Sequence, residues 1–204
     1  MRLLRKVKPI EVKRCFVISD YVSHQKYLKQ AMRVAGKKEY IKRLNKGRRI
    51  ILELPETMLD MIIKGEWKKR FKIYNTMQWY LGVAKVNEIG VWKKAGGLPL
   101  AWTRGSLAET AHLVAQALEK NPKKLVKRAR TAIPGILKNS LSIIQKEKYL
   151  FPIILPGGTM GRKGLKRMKG DIDDGCMRSI ALVVSGKQTI NAYIGVKNKK
   201  SGHK

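Results

Sequence analysis

Asp171, Asp173 and Asp174 place three carboxylates within four consecutive residues of a chain that holds 14 acidic side chains in all. That spacing suits a divalent cation of the kind nucleases use to activate water. The favoured reading is a turn whose Asp side chains bond backbone amides and pair with Arg178 or Lys169. A calcium loop is not spelled out, because its fifth position is Gly175 and no acidic residue follows. The three histidines, His24, His112 and His203, stand apart from one another and from Cys15 and Cys176. They support neither a Cys/His nucleophile nor a zinc cluster. Two distant cysteines without a CxxC step make no disulfide scaffold. The expectation is a non-enzymatic chain with no cofactor and no bound metal, suited to a reducing cytoplasm.

What the sequence has in abundance is positive charge. The 204 residues carry 45 Lys and Arg, for a formal charge of +31. Self-repulsion on that scale calls for an anionic companion, and nucleic acid supplies the densest negative charge. No apolar run reaches the length of a membrane span. The start, Met1-Arg2-Leu3-Leu4-Arg5-Lys6, has no apolar stretch behind its charges and is unlike a secretory signal. The cations gather in three places. Arg48 and Arg49 lie in the first fifty residues, Lys123, Lys124, Lys127, Arg128 and Arg130 form a compact helical patch, and Arg162, Lys163, Lys166 and Arg167 sit in a Gly-rich loop. These are the candidate phosphate contacts. The loop is no P-loop, since it lacks a Gly-Lys-Ser/Thr step.

The positioning elements follow from pattern. Residues to about Val17 read as an arm or edge strand, and Asp20 suits the N-cap of a helix over Tyr21 to Ala35. Ile50 to Leu54 is strand-like, and Thr57 to Lys64 is a short helix. Trp67, Phe71, Tyr74, Trp79, Tyr80 and Trp92 form an aromatic belt. Burial in the core is the favoured reading, with a base-stacking platform as the alternative. Ser106-Leu107-Ala108-Glu109 is a capping box, and Leu107, Ala111, Val114 and Leu118 continue it as one apolar helical stripe. Leu125 to Lys148 extends the helical periodicity across Pro134-Gly135. Pro152 to Gly170 reads as a flexible basic loop. Ile180, Leu182 and Val184, then Ile190, Ala192, Ile194 and Val196, alternate on either side of Ser185-Gly186 and predict a β-hairpin.

The fold class expected is α+β: helices packed on a small antiparallel sheet with a C-terminal β-hairpin, plus a helical basic N-terminal part. Gly96-Gly97 marks the boundary, giving a region 1–97 with the aromatic belt and a region 98–204 with the helix, hairpin and basic loop.

Asp173-Asp174-Gly175-Cys176-Met177-Arg178-Ser179-Ile180, followed by Ala192-Tyr193-Ile194-Gly195-Val196, resembles the neck and tail-completion (minor tail) proteins of tailed bacteriophages, over roughly residues 107–197. Asp174 stands where that family has Thr, and the family's segment beyond the hairpin has no counterpart here. The resemblance implies that Asp173, Gly175, Arg178 and Ser179 are architectural residues of a turn leading from helix into sheet. It implies a ring-forming virion structural protein at the head–tail junction, assembled in the host cytoplasm, with other virion subunits and copies of itself as partners; its basic surface would then face DNA phosphates or an acidic neighbouring subunit. The alternative is a stand-alone nucleic-acid-binding protein of ribosomal or nucleocapsid type.

Overall fold

A computed structural model describes residues 1–23, 42–43, 45–120, 137–138, 140–141, 150–159, 162 and 164–198. The fold is α+β. It divides into two compact units, Met1–Val7 with Met77–Lys204, and Lys8–Thr76. The divisions therefore fall at residues 7/8 and 76/77, whereas Gly96-Gly97 lies inside a short 3-10 turn, Ala95–Gly97, of the first unit.

The first unit is built on a six-stranded sheet in the order β1-β2-β6-β4-β5-β3. The strands are β1 (Arg2–Val7), β2 (Met77–Lys85), β3 (Ile89–Gly90), β4 (Ile153–Pro156), β5 (Gly170–Asp174) and β6 (Thr189–Lys197). β2 pairs antiparallel with β1 and β6, and β4 with β5; β4–β6 and β3–β5 are parallel. The sheet is thus mixed. β2 buries Met77, Trp79 and Ala84 while Gln78 and Lys85 are exposed, the alternation that a half-buried strand requires. Trp79 sits directly opposite Gly195, where a β-carbon would stand 3.1 Å from the indole ring. Edge strand β1 bears Arg2, Arg5 and Lys6 and shifts register between Leu3 and Arg5, two devices that discourage further strand pairing.

Helices α5 (Leu107–Lys120) and α6 (Cys176–Val184) bring their apolar faces to this sheet. Leu107, Ala111 and Val114 from α5 and Ile180 and Ala181 from α6 join Ile154, Ile172, Ile190, Ala192 and Ile194 in one core. Each large aliphatic side chain so buried contributes about 1.5–3 kcal/mol. The capping box is present at the start of α5. The Ser106 amide donates to Glu109 Oε2 at 2.8 Å, and the Glu109 amide donates to Ser106 Oγ at 3.2 Å.

The second unit is helical: α1 (Pro9–Ser23), α2 (helical over 45–53), α3 (Glu56–Glu66) and α4 (Lys68–Thr76). Phe16 meets Trp67 and Tyr74 edge-on, with centroids 5.1 and 5.6 Å apart, and Arg70 lies over the Phe16 ring. Buried Lys13 donates to Glu56 Oε1 and Asn75 Oδ1 and pairs with Asp60 Oδ1, each at 2.7 Å. Three acceptors match its three donors. In the belt, Tyr74 and Trp79 are fully buried core residues, and Trp67, Phe71, Tyr80 and Trp92 are half-buried.

Several sequence expectations change. The C-terminal hairpin is absent, because its first arm is helix α6. The run Ile180-Ala181-Leu182-Val183-Val184 satisfies both a two-residue and a helical period, and short apolar runs are ambiguous for that reason. Ser185-Gly186 is the helix stop: Gly186 has φ 95°, and the Gly186 and Lys187 amides donate back to Val183 and Leu182 carbonyls. Ile50 to Leu54 is the end of α2 and the turn after it, with Ile51 buried and Ile50 and Leu52 exposed. Asp20 lies inside α1, which already starts at Pro9, a residue suited to the first helical turn. Pro152 to Gly170 opens with the buried strand β4.

Candidate nucleic-acid interface

The Gly-rich loop is held from below by one arginine. Arg162 is 2 % exposed, and each terminal nitrogen of its guanidinium donates two hydrogen bonds. Nη1 donates to the Val91 and Thr103 carbonyls at 2.8 and 3.0 Å. Nη2 donates to Arg104 and Lys166 carbonyls at 2.8 and 3.3 Å. Nε faces Asp171 Oδ1 at 3.3 Å, an ion-pair distance without hydrogen-bond geometry. A planar fork with five donors fits this arrangement and an ammonium does not. Burial pulls the guanidinium below its ordinary value against the opposing charge of Asp171. Burial likewise pushes the Asp171 carboxyl up, against the Gly158 amide and Arg162.

Asp171 is positioned by β5, where it pairs with Leu155 of β4. Its Oδ2 accepts the Gly158 amide at 2.6 Å, so the turn after β4 is fastened to β5 by a charged hydrogen bond. Gly157 donates to the Lys169 carbonyl at 3.2 Å, and a β-carbon there would collide with the Met168 carbonyl oxygen. Gly158 has φ 80°, in the left-handed region that favours glycine. Arg167 Nε donates to the Gly157 carbonyl at 3.2 Å.

These bonds leave an open cleft of about 290 Å³. The Arg162–Asp171 pair forms part of its lining, together with Gly157, Gly158 and Gly164. Lys166, Arg167 and Lys197 bring three further cations, and Leu165 is the one apolar side chain among the lining residues. All three of these cations are exposed.

Of the expected phosphate contacts, the structure brings Lys166 and Arg167 to one cleft. Arg162 is corrected: it is buried and committed to backbone carbonyls, and it holds the loop in place of meeting a ligand on the surface. Arg48 is half-buried and Arg49 exposed, both on α2 of the helical unit. Lys123, Lys124, Lys127, Arg128, Arg130 and Lys163 lie outside the described residues. Lys197, at the end of β6, carries no signal in the sequence; only the tertiary pairing of β6 with β4 brings it to the cleft.

The turn after β5 is architectural, though it runs from strand into helix and not from helix into sheet. Gly175 has φ 87°, and a β-carbon there would stand 2.8 Å from Arg178 Nη2 and 3.2 Å from the Pro152 backbone. Arg178 Nη2 bonds Asp174 Oδ2 at 2.6 Å, and Ser179 Oγ donates to the Gly175 carbonyl at 3.0 Å. Asp173, Arg178 and Ser179 are buried. Burial pushes the Cys176 thiol up to about 12. Among the described residues no three His, Cys, Asp or Glu side chains are grouped to hold a metal ion, and no helix is long and apolar enough to cross a membrane.

Comparison with protein-family models, curated proteins and solved structures finds no match.

Proposed function

We propose that this chain is a non-enzymatic structural subunit of a tailed-bacteriophage virion, of the neck or tail-completion kind, whose basic surface lies against DNA. The observation that carries this reading is how the carboxylates are engaged. Asp171 is tied to Gly158 and Arg162, and Asp174 to Arg178, while Lys166, Arg167 and Lys197 remain exposed. Two of the three carboxylates that could activate water are thus engaged in holding the fold, and groups that neutralise phosphate are left at the surface. Gly175, Arg178 and Ser179 hold a turn, as the resemblance implies, though in the opposite direction, from strand into helix, and a charge of +31 calls for an anionic partner. Its place is the virion, assembled in the host cytoplasm from copies of itself and other virion subunits.

The second reading, a stand-alone nucleic-acid-binding protein, is favoured by the convergence of Lys166, Arg167 and Lys197 on one cleft. Light scattering on nuclease-treated protein separates the two. A ring-forming subunit gives discrete oligomers without nucleic acid. A monomer that binds duplex with a steep salt dependence replaces the first reading with the second. Metal-dependent cleavage of DNA that disappears in Asp173→Ala overturns both.

A further inference from the structure

We infer that the cleft beside β5 grips a phosphodiester of the nucleic-acid backbone, with Lys166 and Lys197 meeting the ligand and Arg162 as the positioning residue beneath them. The inference rests on the nucleic-acid-facing reading above and gives it a location. Three exposed cations converge on a recess of about 290 Å³ whose described lining holds a single acid, Asp171. That acid is already paired with Arg162, so the recess keeps a positive excess towards anything that enters.

The lining selects among anions. Among the described residues it holds no aromatic ring, and Leu165 is its one apolar side chain, so a base finds no surface there to stack on. Glycines at 157, 158 and 164 leave the backbone bare along the wall, and Gly158 and Gly164 have φ near +80°, which closes those positions to ordinary side chains. A bulky charged chain can approach such a wall closely. The ligand class is therefore a sugar–phosphate backbone taken without regard to sequence. Arg162 fixes the geometry through the Lys166 carbonyl, and Arg167 does so through Gly157. Lys166 and Lys197 have no such structural bond among the described residues, so they are the pair to vary.

The test compares the full chain with Lys166→Gln/Lys197→Gln and with a charge-matched control outside the cleft, Lys85→Gln/Lys120→Gln. Affinity for a short mixed-sequence DNA duplex is followed by fluorescence anisotropy across a salt series. The cleft variant is expected to lower the slope of log K against log salt by about two, roughly one unit for each phosphate no longer neutralised, equally for scrambled sequences. The control is expected to leave the slope near that of the parent. Equal slopes in both variants overturn the cleft and leave the broader reading standing, whereas a parent chain without salt-dependent affinity overturns both. Inorganic phosphate forms a second arm. Phosphorus-31 line broadening that disappears in the cleft variant, with an unchanged duplex slope, assigns the recess to free phosphate and overturns the polymer assignment.

Discussion

Gly90 and Arg162 share one space: a β-carbon on Gly90 would run into Nε, Cζ and Cδ of the buried guanidinium. The bare strand residue leaves the space that the arginine side chain occupies. Gly90→Ala is therefore expected to destabilise the sheet unit by about 1–3 kcal/mol, the range for overpacking a close-fitted site. Urea unfolding followed by tryptophan fluorescence measures it, and an unchanged midpoint refutes the packing argument.

Arg162→Ala removes the charge paired with Asp171 and takes the donor from four backbone carbonyls, two of them in buried bonds. Both side chains are nearly inaccessible, 1 % and 3 % exposed, so water does not screen the loss. The expected cost is about 3–5 kcal/mol. Arg162→Lys should recover little, because an ammonium cannot reach acceptors spread across a fork. Adding Asp171→Asn to the alanine variant should restore part of the loss. Strict additivity in that double-mutant cycle would show that the two charges are not coupled.

Gly175→Ala forces a left-handed residue to carry a side chain against the Pro152 backbone. A penalty of about 1–3 kcal/mol is expected, larger than for Ser179→Ala, which loses one hydrogen bond worth about 1 kcal/mol. Thermal unfolding of the two variants orders them, and the reverse order would remove Gly175 from the centre of the turn.

Ser106→Ala should cost about 1 kcal/mol by leaving a helix-end amide of α5 without its hydroxyl partner. Glu109→Gln keeps an acceptor for the Ser106 amide and should cost less. Hydrogen exchange at the Glu109 amide reads the cap directly: unchanged protection in Ser106→Ala contradicts it.

Acid should weaken the ion pairs of Glu88 by protonating its carboxylate. The Lys169 ammonium hydrogen-bonds its carboxylate at 2.8 Å, and with the Met1 amine at 2.7 Å it holds the carboxyl down at about 2, from 4.5. A depressed folded value means that the contribution is complete above pH 4.5 and fades as pH falls towards 2. Asp171, pushed up by burial, works in the opposite direction. Comparing acid unfolding of the parent with Glu88→Gln should show a shallower decline in the variant between pH 4.5 and 2, and parallel curves would contradict the linkage.

The capping box at Ser106 and Glu109 and the stripe Leu107, Ala111, Val114 were legible in the sequence because their signals are local. The turn at Gly175 was legible as architecture but not in direction, since Asp-x-Gly chemistry does not say which side is helix. α6 reads as a strand because Ile180 to Val184 is apolar at every position, and only the Gly186 stop distinguishes the two periods. Arg162 looks like its neighbours Lys166 and Arg167. Its burial depends on Val91, Thr103 and Arg104, some sixty to seventy positions away, and no sequence window spans that distance.

β6 is the seam of the sheet, lying between β2 on one side and β4 on the other. During synthesis, β1 and β2 leave the ribosome roughly a hundred residues before their neighbour does, so the nascent chain carries a naked strand margin through most of translation. Such late closure makes the chain slow to mature and exposed to mispairing. A stop codon upstream of residue 189 would then release two half-sheets with no common strand to join them.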